Sequence, residues 1–193
     1  RKVVENELRD FRLGGAELAA DKKERFKQVR ERESQVSTRF AENVLDATNA
    51  FALYIDDASA LAGVPQDALQ MLSESAQADG KTGYKISLQY PSYSAIVDYA
   101  HDRTLRQQVY RAYSTRASEF GNPDWNNGPL MVELLKLRRD HAQLLGYKSF
   151  AEVSLVAKMA ESPVDVLDLL RALARRAKPY AERDYAELSA FAR

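Results

Sequence analysis

The stretch LLGYKSFAEVSLVAKMAESP, residues 144–163, decides the fold class because it contains the end of one helix and the starts of two others. Gly146 stands where a helix would end in a left-handed cap. Ser149, with Glu152 three residues later, has the pattern of a capping box. Ser162 precedes a proline, as an N-cap does when proline takes the first helical position. The stretch therefore predicts helices joined by short turns.

Helical periodicity continues on both sides of this stretch. A long helix is predicted over residues 16–49, since its apolar residues recur every three or four positions or at multiples of that step. Other helices are predicted before Gly14-Gly15, from Pro65 to near Gly80, and over 91–101, 105–118 and 129–145. A last helix from Pro163 is expected to be kinked or divided at Pro179. Its predicted inner face consists of Val166, Leu167, Leu170, Leu173, Ala177, Tyr185, Leu188 and Phe191.

Two short segments alternate between apolar and smaller or polar residues. Their apolar positions are Phe51, Leu53 and Ile55 in the first segment and Tyr84, Ile86, Leu88 and Tyr90 in the second. A period of two predicts strands with one buried face, and we expect the two strands to pair, in a direction and register that the sequence leaves open. The predicted fold class is mainly α: a helical array with long antiparallel helices and one small two-strand β element. Residues 1–193 are expected to form a single helical unit.

The composition is ordinary for a globular protein, with 45% apolar and 29% charged residues and 28 basic against 28 acidic side chains. Balanced charge predicts no nucleic-acid partner. No apolar run approaches the roughly 18 to 20 residues that a membrane span needs, so no membrane association is expected. The absence of cysteine excludes disulfides and thiolate metal sites and agrees with a reducing compartment, so we expect a cytoplasmic location.

Both ends of the sequence interrupt a helical pattern. The chain opens with Arg1 inside an apolar-periodic segment and finishes at LSAFAR without a glycine or proline stop signal. We therefore expect the sequence to be cut from a longer chain.

Known catalytic patterns are missing from the sequence. A zinc peptidase helix needs two histidines four residues apart with a glutamate between them, whereas the two histidines here, His101 and His141, are isolated from each other. No cysteine is present, and no serine lies in a Gly-x-Ser-x-Gly elbow. The paired glycines of FRLGGAEL follow a helix rather than a strand, which favours a turn over a phosphate loop. No catalytic or metal-binding residue is predicted in this chain.

Tyrosines are concentrated in the middle of the chain and include Tyr84, Tyr90, Tyr93, Tyr99, Tyr110 and Tyr113. Tyrosine can line a channel, with its ring packed and its hydroxyl facing water or a peptide, or it can simply join the strand to the following helices. Arg116 could meet a substrate carboxylate or form an ordinary salt bridge, and Trp125 could be an exposed contact or a plug over helix ends. The candidates for substrate contact are Tyr110, Tyr113, Arg116 and Trp125.

Six segments in order resemble the zinc oligopeptidase family of thimet oligopeptidase and neurolysin, in its oligopeptidase A branch. They are FRLGGAEL (11–18), STRFAENVLDATNAF (37–51), YKISLQYPSY (84–93), YRAYSTRAS (110–118), DWNNGPL (124–130) and the opening stretch at 144–163. Together these segments extend over nearly the whole chain, although none of them is a catalytic signature.

The resemblance implies that the chain is an internal piece of the N-terminal half of a mostly helical zinc metalloendopeptidase. The family's His-Glu-x-x-His motif has no counterpart here, so zinc is implied for the parent protein and not for this chain. The implied role is a non-catalytic channel-wall and scaffold segment of an enzyme that hydrolyses short peptides. Its implied partner is the remainder of the same peptidase chain. The alternative is a self-standing helical interaction module without enzymatic activity, which a polar surface would favour and a large exposed apolar patch would oppose.

Overall fold

A computed structural model of the chain describes residues 1–192. Over that range the chain is mainly helical with one two-stranded sheet, which confirms the predicted fold class. The elements in chain order are α1 (Lys2–Leu13), α2 (Ala20–Ala50), β1 (Ala52–Ile55), α3 (Gln66–Ala78), β2 (Tyr84–Ser87), α4 (Tyr90–Tyr99), α5 (Arg103–Ser114), α6 (Gly128–Leu144), α7 (Phe150–Leu155) and α8 (Pro163–Phe191). Short 3-10 helices at Ala58–Leu61 and Pro123–Trp125 lie in two of the connections.

The caps predicted for residues 144–163 are all present. Gly146 has φ of +85°, the left-handed conformation that ends α6. The Ser149 hydroxyl accepts a hydrogen bond from the Glu152 amide at 3.3 Å, and the Glu152 carboxylate accepts one from the Lys148 amide at 2.8 Å. In the usual capping box the glutamate would accept from the amide of the capping residue, Ser149, so the reciprocal bond here goes to the amide one residue earlier. The Ser162 hydroxyl caps α8 by accepting from the Asp165 amide.

The two strands pair antiparallel, with Ala52 opposite Ser87 and Ile55 opposite Tyr84. The prediction of strand structure as far as Tyr90 was wrong, because β2 ends at Ser87 and α4 begins at Tyr90. Proline in the first turn of α4 is compatible with a helix start and cannot donate to a strand ladder.

Contacts divide the chain into two compact units. One comprises residues 33–135, and the other comprises residues 1–32 together with the segment from Lys136 onward. That the chain acts as a single helical unit inside a larger N-terminal half stays a prediction.

The unit of residues 33–135 has a continuous apolar core. Side chains from α3, β2, α4 and α5 form it, with contributions from the connections between them. Its buried members are Leu61, Val64, Leu72, Ile86, Ala95, Ile96, Ala100, Leu105 and Val109. This core holds α4 and α5 in place, and those two helices carry most of the candidate site.

The other unit packs around an aromatic group. His141 is 4% exposed, and its ring meets the rings of Phe26 and Phe150 edge-on at centroid distances of 5.2 and 5.3 Å. Val29 and Ala142 are buried in the same unit. His141 therefore lies in an aromatic packing environment.

The helix α8 has an apolar face that the described residues do not bury. Within residues 1–192 none of its side chains is buried, and on the predicted inner face only Val166 is partly covered while the positions from Leu167 to Phe191 are exposed. Periodicity predicted the face correctly as apolar, but burial also needs an element to pack on it. The helix runs through Pro179 without division. No helix among the described residues combines the length and the hydropathy of a bilayer-spanning segment.

Candidate functional site

Local capping fixes the start of α5, the helix that carries two of the four candidate residues, Tyr110 and Tyr113. The Asp102 carboxylate accepts hydrogen bonds from the amides of Thr104 and Leu105 at 2.8 and 3.3 Å, which satisfies donors in the first turn. The Arg106 guanidinium donates to the carbonyls of Ala100 and His101 at the end of α4. One side chain of α5 thus holds the connection between the two helices.

Three tyrosines and an arginine form a continuous stack, called here the tyrosine ladder: Tyr90, Tyr93, Tyr113 and Arg116. The rings of Tyr93 and Tyr113 lie 3.9 Å apart with 20° between their planes. The ring of Tyr90 is tilted by 41° against Tyr93 at 6.4 Å, and the Arg116 guanidinium lies 3.7 Å from the centre of the Tyr113 ring. Stacked rings and a cation over a ring face attract each other, so the ladder stabilises the packing of α4 on α5.

Arg116 is held by the end of α5 as well as by the ring. Its Nη1 donates to the Tyr113 carbonyl at 2.9 Å, and this cation lies near the negative end of the helix dipole. Its Nε is buried and meets no acceptor within residues 1–192. The contacts of Arg116 within residues 1–192 are a ring and a backbone carbonyl and not a salt bridge, and its contact with a substrate carboxylate stays a prediction.

The phenol of Tyr93 stays protonated at neutral pH. Burial raises the pKa of Tyr93 above its ordinary value of 10.0, and nearby Tyr110, Tyr113, Asp98 and Tyr90 raise it further. A neutral phenol donates and accepts hydrogen bonds, which suits it to peptide contact and not to base catalysis.

The structure places the other two candidates outside the ladder. Tyr110 lies on α5 with 57% of its surface exposed, beside Val97, Arg103, Arg106 and Gln107. Trp125 ends a 3-10 helix that Asn122 caps, and it is half-buried. Tyr113 and Arg116 are therefore brought together, Tyr110 lies nearby, and Trp125 belongs to a separate loop.

A buried amide pair that sequence reasoning missed holds the loop of Trp125. The Asn43 side chain donates to the Asn127 side-chain oxygen at 2.8 Å, and Asn127 in turn donates to the Phe40 carbonyl at 3.0 Å. Both asparagines are 2% exposed, and the Asn127 backbone amide donates to the Ala117 carbonyl at 3.0 Å. The only signal in the sequence was an asparagine at a core position of α2.

The residues present do not fit a zinc site. Among residues 1–192 there is no group of three histidine, aspartate or glutamate side chains that could hold a metal ion. His101 belongs to the unit of residues 33–135 and His141 to the other unit. No step of a reaction is therefore assigned to a metal held by this chain.

The sequence profile of peptidase family M3 matches residues 96–193, half of the chain, including Tyr110, Tyr113, Arg116 and Trp125. The chain belongs to peptidase family M3. It is 44% identical to oligopeptidase A of Haemophilus influenzae over 99% of its length, and 44% and 43% identical over its full length to oligopeptidase A of Salmonella typhimurium and of Escherichia coli. This M3 segment spans 28–29% of the length of those relatives.

Proposed function

We propose that this chain is a non-catalytic channel-wall and scaffold segment of a zinc-dependent metallo-oligopeptidase that hydrolyses short peptides. Membership of peptidase family M3 supports the reaction class. The chain matches only 28% of the length of the oligopeptidase A from Haemophilus influenzae, which supports the role of a segment. Zinc and the catalytic groups would be supplied by the rest of the parent chain, so the isolated segment is expected to be inactive.

The uncovered apolar face of α8 carries this proposal. Leu167, Leu170, Leu173 and Leu188 expose between 47% and 66% of their surface. A helix normally buries such a stripe, because apolar surface removed from water contributes roughly 25 cal/mol per Å². The relatives extend well beyond the matched segment, so a parent would have further chain to cover α8.

The tyrosine ladder would serve as the peptide-facing part of the wall. Tyr113, whose two ring faces are occupied by Tyr93 and Arg116, would hold the Arg116 cation in place. Tyr90 adds an exposed ring at the other end of the ladder, and Tyr110 adds an exposed hydroxyl. Such groups contact backbone amides and aromatic side chains of extended peptides without a fixed sequence preference. Trp125 would make a separate contact from its loop.

The proposed partners are the remainder of the same peptidase chain and short peptides, without nucleic acid or membrane. The proposed location is the cytoplasm, supported by the lack of cysteine. The alternative of a self-standing interaction module would need a polar surface complete in itself, and the apolar stripe on α8 argues against it.

The test is a chimera in which this chain replaces the matching segment of E. coli oligopeptidase A. We expect the chimera to fold and to hydrolyse short peptides, while the chain alone shows no chelator-sensitive hydrolysis. Leu170→Glu in the chimera should lower soluble yield and activity at least tenfold, because it places a charge in the covered interface. The matched control is Arg175→Gln, which changes the charge equally at an exposed position of α8 and should leave both unchanged.

A chimera that is folded but inactive, or one that does not fold, would overturn the proposal and favour the interaction module. Full activity with Leu170→Glu would show that α8 is not an interface.

A further inference from the structure

A groove between α4 and α5 lies beside the tyrosine ladder, within the unit of residues 33–135. Val97 of α4 lines one side, and Arg103, Arg106, Gln107 and Tyr110 of α5 line the other. The lining therefore holds two guanidinium groups, an amide and a phenol beside one aliphatic side chain, and it contains no carboxylate. A surface with this chemistry attracts an anion.

The cations of the groove are not neutralised by nearby acids. The adjacent Asp102 carboxylate is occupied by the amides of Thr104 and Leu105. The Arg103 side chain is exposed and forms no ion pair or hydrogen bond within residues 1–192. Arg106 uses only Nη1 for the carbonyls of Ala100 and His101, so this bond fixes its guanidinium while the other nitrogens keep free donors.

We propose that this groove binds the free C-terminal carboxylate of a short peptide. This inference rests on the proposed peptide-wall function and adds to it the direction in which the peptide lies along the wall. The planar fork of a guanidinium matches the two oxygens of a carboxylate, so Arg103 and Arg106 would hold the terminus while Gln107 and Tyr110 donate further hydrogen bonds. Val97 would contact the last side chain.

The spacing along α5 sets the length of peptide that the face can hold. Arg103 and Tyr113 are ten residues apart on one helix, a rise of about 15 Å. An extended peptide covers that distance with roughly four to five residues. A peptide anchored at Arg103 would therefore run past Tyr110 to the tyrosine ladder.

The experiment is an NMR titration of the isotope-labelled 193-residue chain with three probes: acetyl-tetra-alanine as the free acid, the same peptide with a C-terminal amide, and acetate. We expect the free acid to shift the backbone signals of residues 97–110 and to bind about threefold to tenfold more tightly than the amide, less so at high salt. Arg103→Gln should remove that preference, and Gln107→Glu should reverse it.

Both positions are exposed, so neither change should disturb folding, and unchanged spectra elsewhere would verify this. Arg175→Gln on α8 is the control, because it removes one positive charge as Arg103→Gln does. It should keep the preference for the free acid.

Equal binding of acid and amide at the ladder would overturn this inference and leave the peptide wall intact. Acetate binding as tightly as the peptide would show a simple anion site and overturn it too. If neither peptide shifts residues 97–110, the groove does not bind peptide termini, and the chimera still decides the proposed function independently.

Discussion

The ring of Tyr93 stacks on the ring of Tyr113 with their centres 3.9 Å apart, which joins α4 to α5 across the edge of the core. The Arg116 guanidinium covers the other face of Tyr113 at 3.7 Å, so this ring has a partner on each side. The candidate site is therefore also a packing contact, and its rigidity comes from the same interactions that stabilise the unit.

Loss of the Tyr113 ring should destabilise the chain more than loss of an exposed ring on the same helix. Tyr113→Ala removes an aromatic pair of about 0.5–1.5 kcal/mol and a cation–π contact of about 0.5–1 kcal/mol, so the free energy of unfolding should fall by about 2 kcal/mol. Tyr110→Ala, at a residue 57% exposed, should cost less than about 0.7 kcal/mol. Urea denaturation of both variants measures the difference, and equal losses would contradict the stacking account.

Asp79 should make stability depend on pH in the acid range. Its carboxylate accepts hydrogen bonds from Lys85 and Tyr54, both at 2.6 Å, and these bonds lower the pKa of Asp79 below its ordinary 3.8. Because the folded pKa is lowered, the stabilisation is complete above pH 3.8 and is lost as the pH falls through the folded value.

The measurement for Asp79 compares the unfolding free energy of the wild type with that of Asp79→Asn. The variant should be less stable at pH 7, and the difference in unfolding free energy between the two proteins should become smaller below pH 3.8. The matched control is Asp46→Asn, at an exposed position on α2, measured over the same pH range. A difference in unfolding free energy that stays constant with pH would mean that the charge of Asp79 contributes nothing to stability.

The buried amide pair should be sensitive to removal of one partner. Asn127→Ala leaves the Asn43 side-chain donor buried without its partner and removes a second bond to the Phe40 carbonyl, at a cost of about 2–3 kcal/mol in the free energy of unfolding. Asn49→Ala removes an exposed bond to Gln89 and should cost under about 0.5 kcal/mol. Thermal unfolding of the two variants distinguishes them, and a loss at Asn127 no larger than at Asn49 would show that water replaces the pair.

Two glycines in the connection from α3 to β2 should respond differently to alanine. Both have positive φ, +70° at Gly80 and +80° at Gly83. An alanine at either position should therefore lower the free energy of unfolding by about 1–2 kcal/mol through backbone strain. A Cβ at Gly80 would meet open space, whereas at Gly83 it would lie 2.4 Å from the Ile55 carbonyl oxygen. Gly83→Ala should therefore be the more destabilising by at least about 1 kcal/mol in chemical denaturation, since backbone at the strand end must move. Similar losses at both sites would mean that the strand end yields easily.

Local signals were the most predictable part of this fold. Gly146, Ser149 and Ser162 were assigned correctly because a cap depends on a few neighbouring residues. The long helix was predicted to begin at residue 16 but begins at Ala20, since Gly15 has φ of +83° and its position is packed against the Phe26 ring. Tyr90 was assigned to a strand because its spacing has period two, and the following proline favoured a helix start.

The candidate site was only half predictable for a physical reason. Tyr113 and Arg116 are three residues apart, so their proximity at the end of α5 follows from the sequence. The stacking of Tyr93 on Tyr113 depends on how α4 packs against α5, which periodicity does not encode. The groove at Arg103 and the pair of Asn43 with Asn127 also arise from tertiary packing and were missed.

The small sheet has a consequence for the order of folding. The pairing of Ile55 with Tyr84 closes a loop of residues 56–83 that contains α3, so the strands cannot meet by a tight turn. Closing a flexible loop of that size costs entropy, and prior formation of α3 reduces the number of freely moving residues. In stopped-flow refolding, Gln70→Gly in α3 should therefore slow folding, whereas Tyr54→Phe in β1 should mainly speed unfolding. The opposite result would mean that the two strands pair before α3 forms. The expected result would mean that the sheet forms late in folding and that formation of α3 sets the rate of strand pairing.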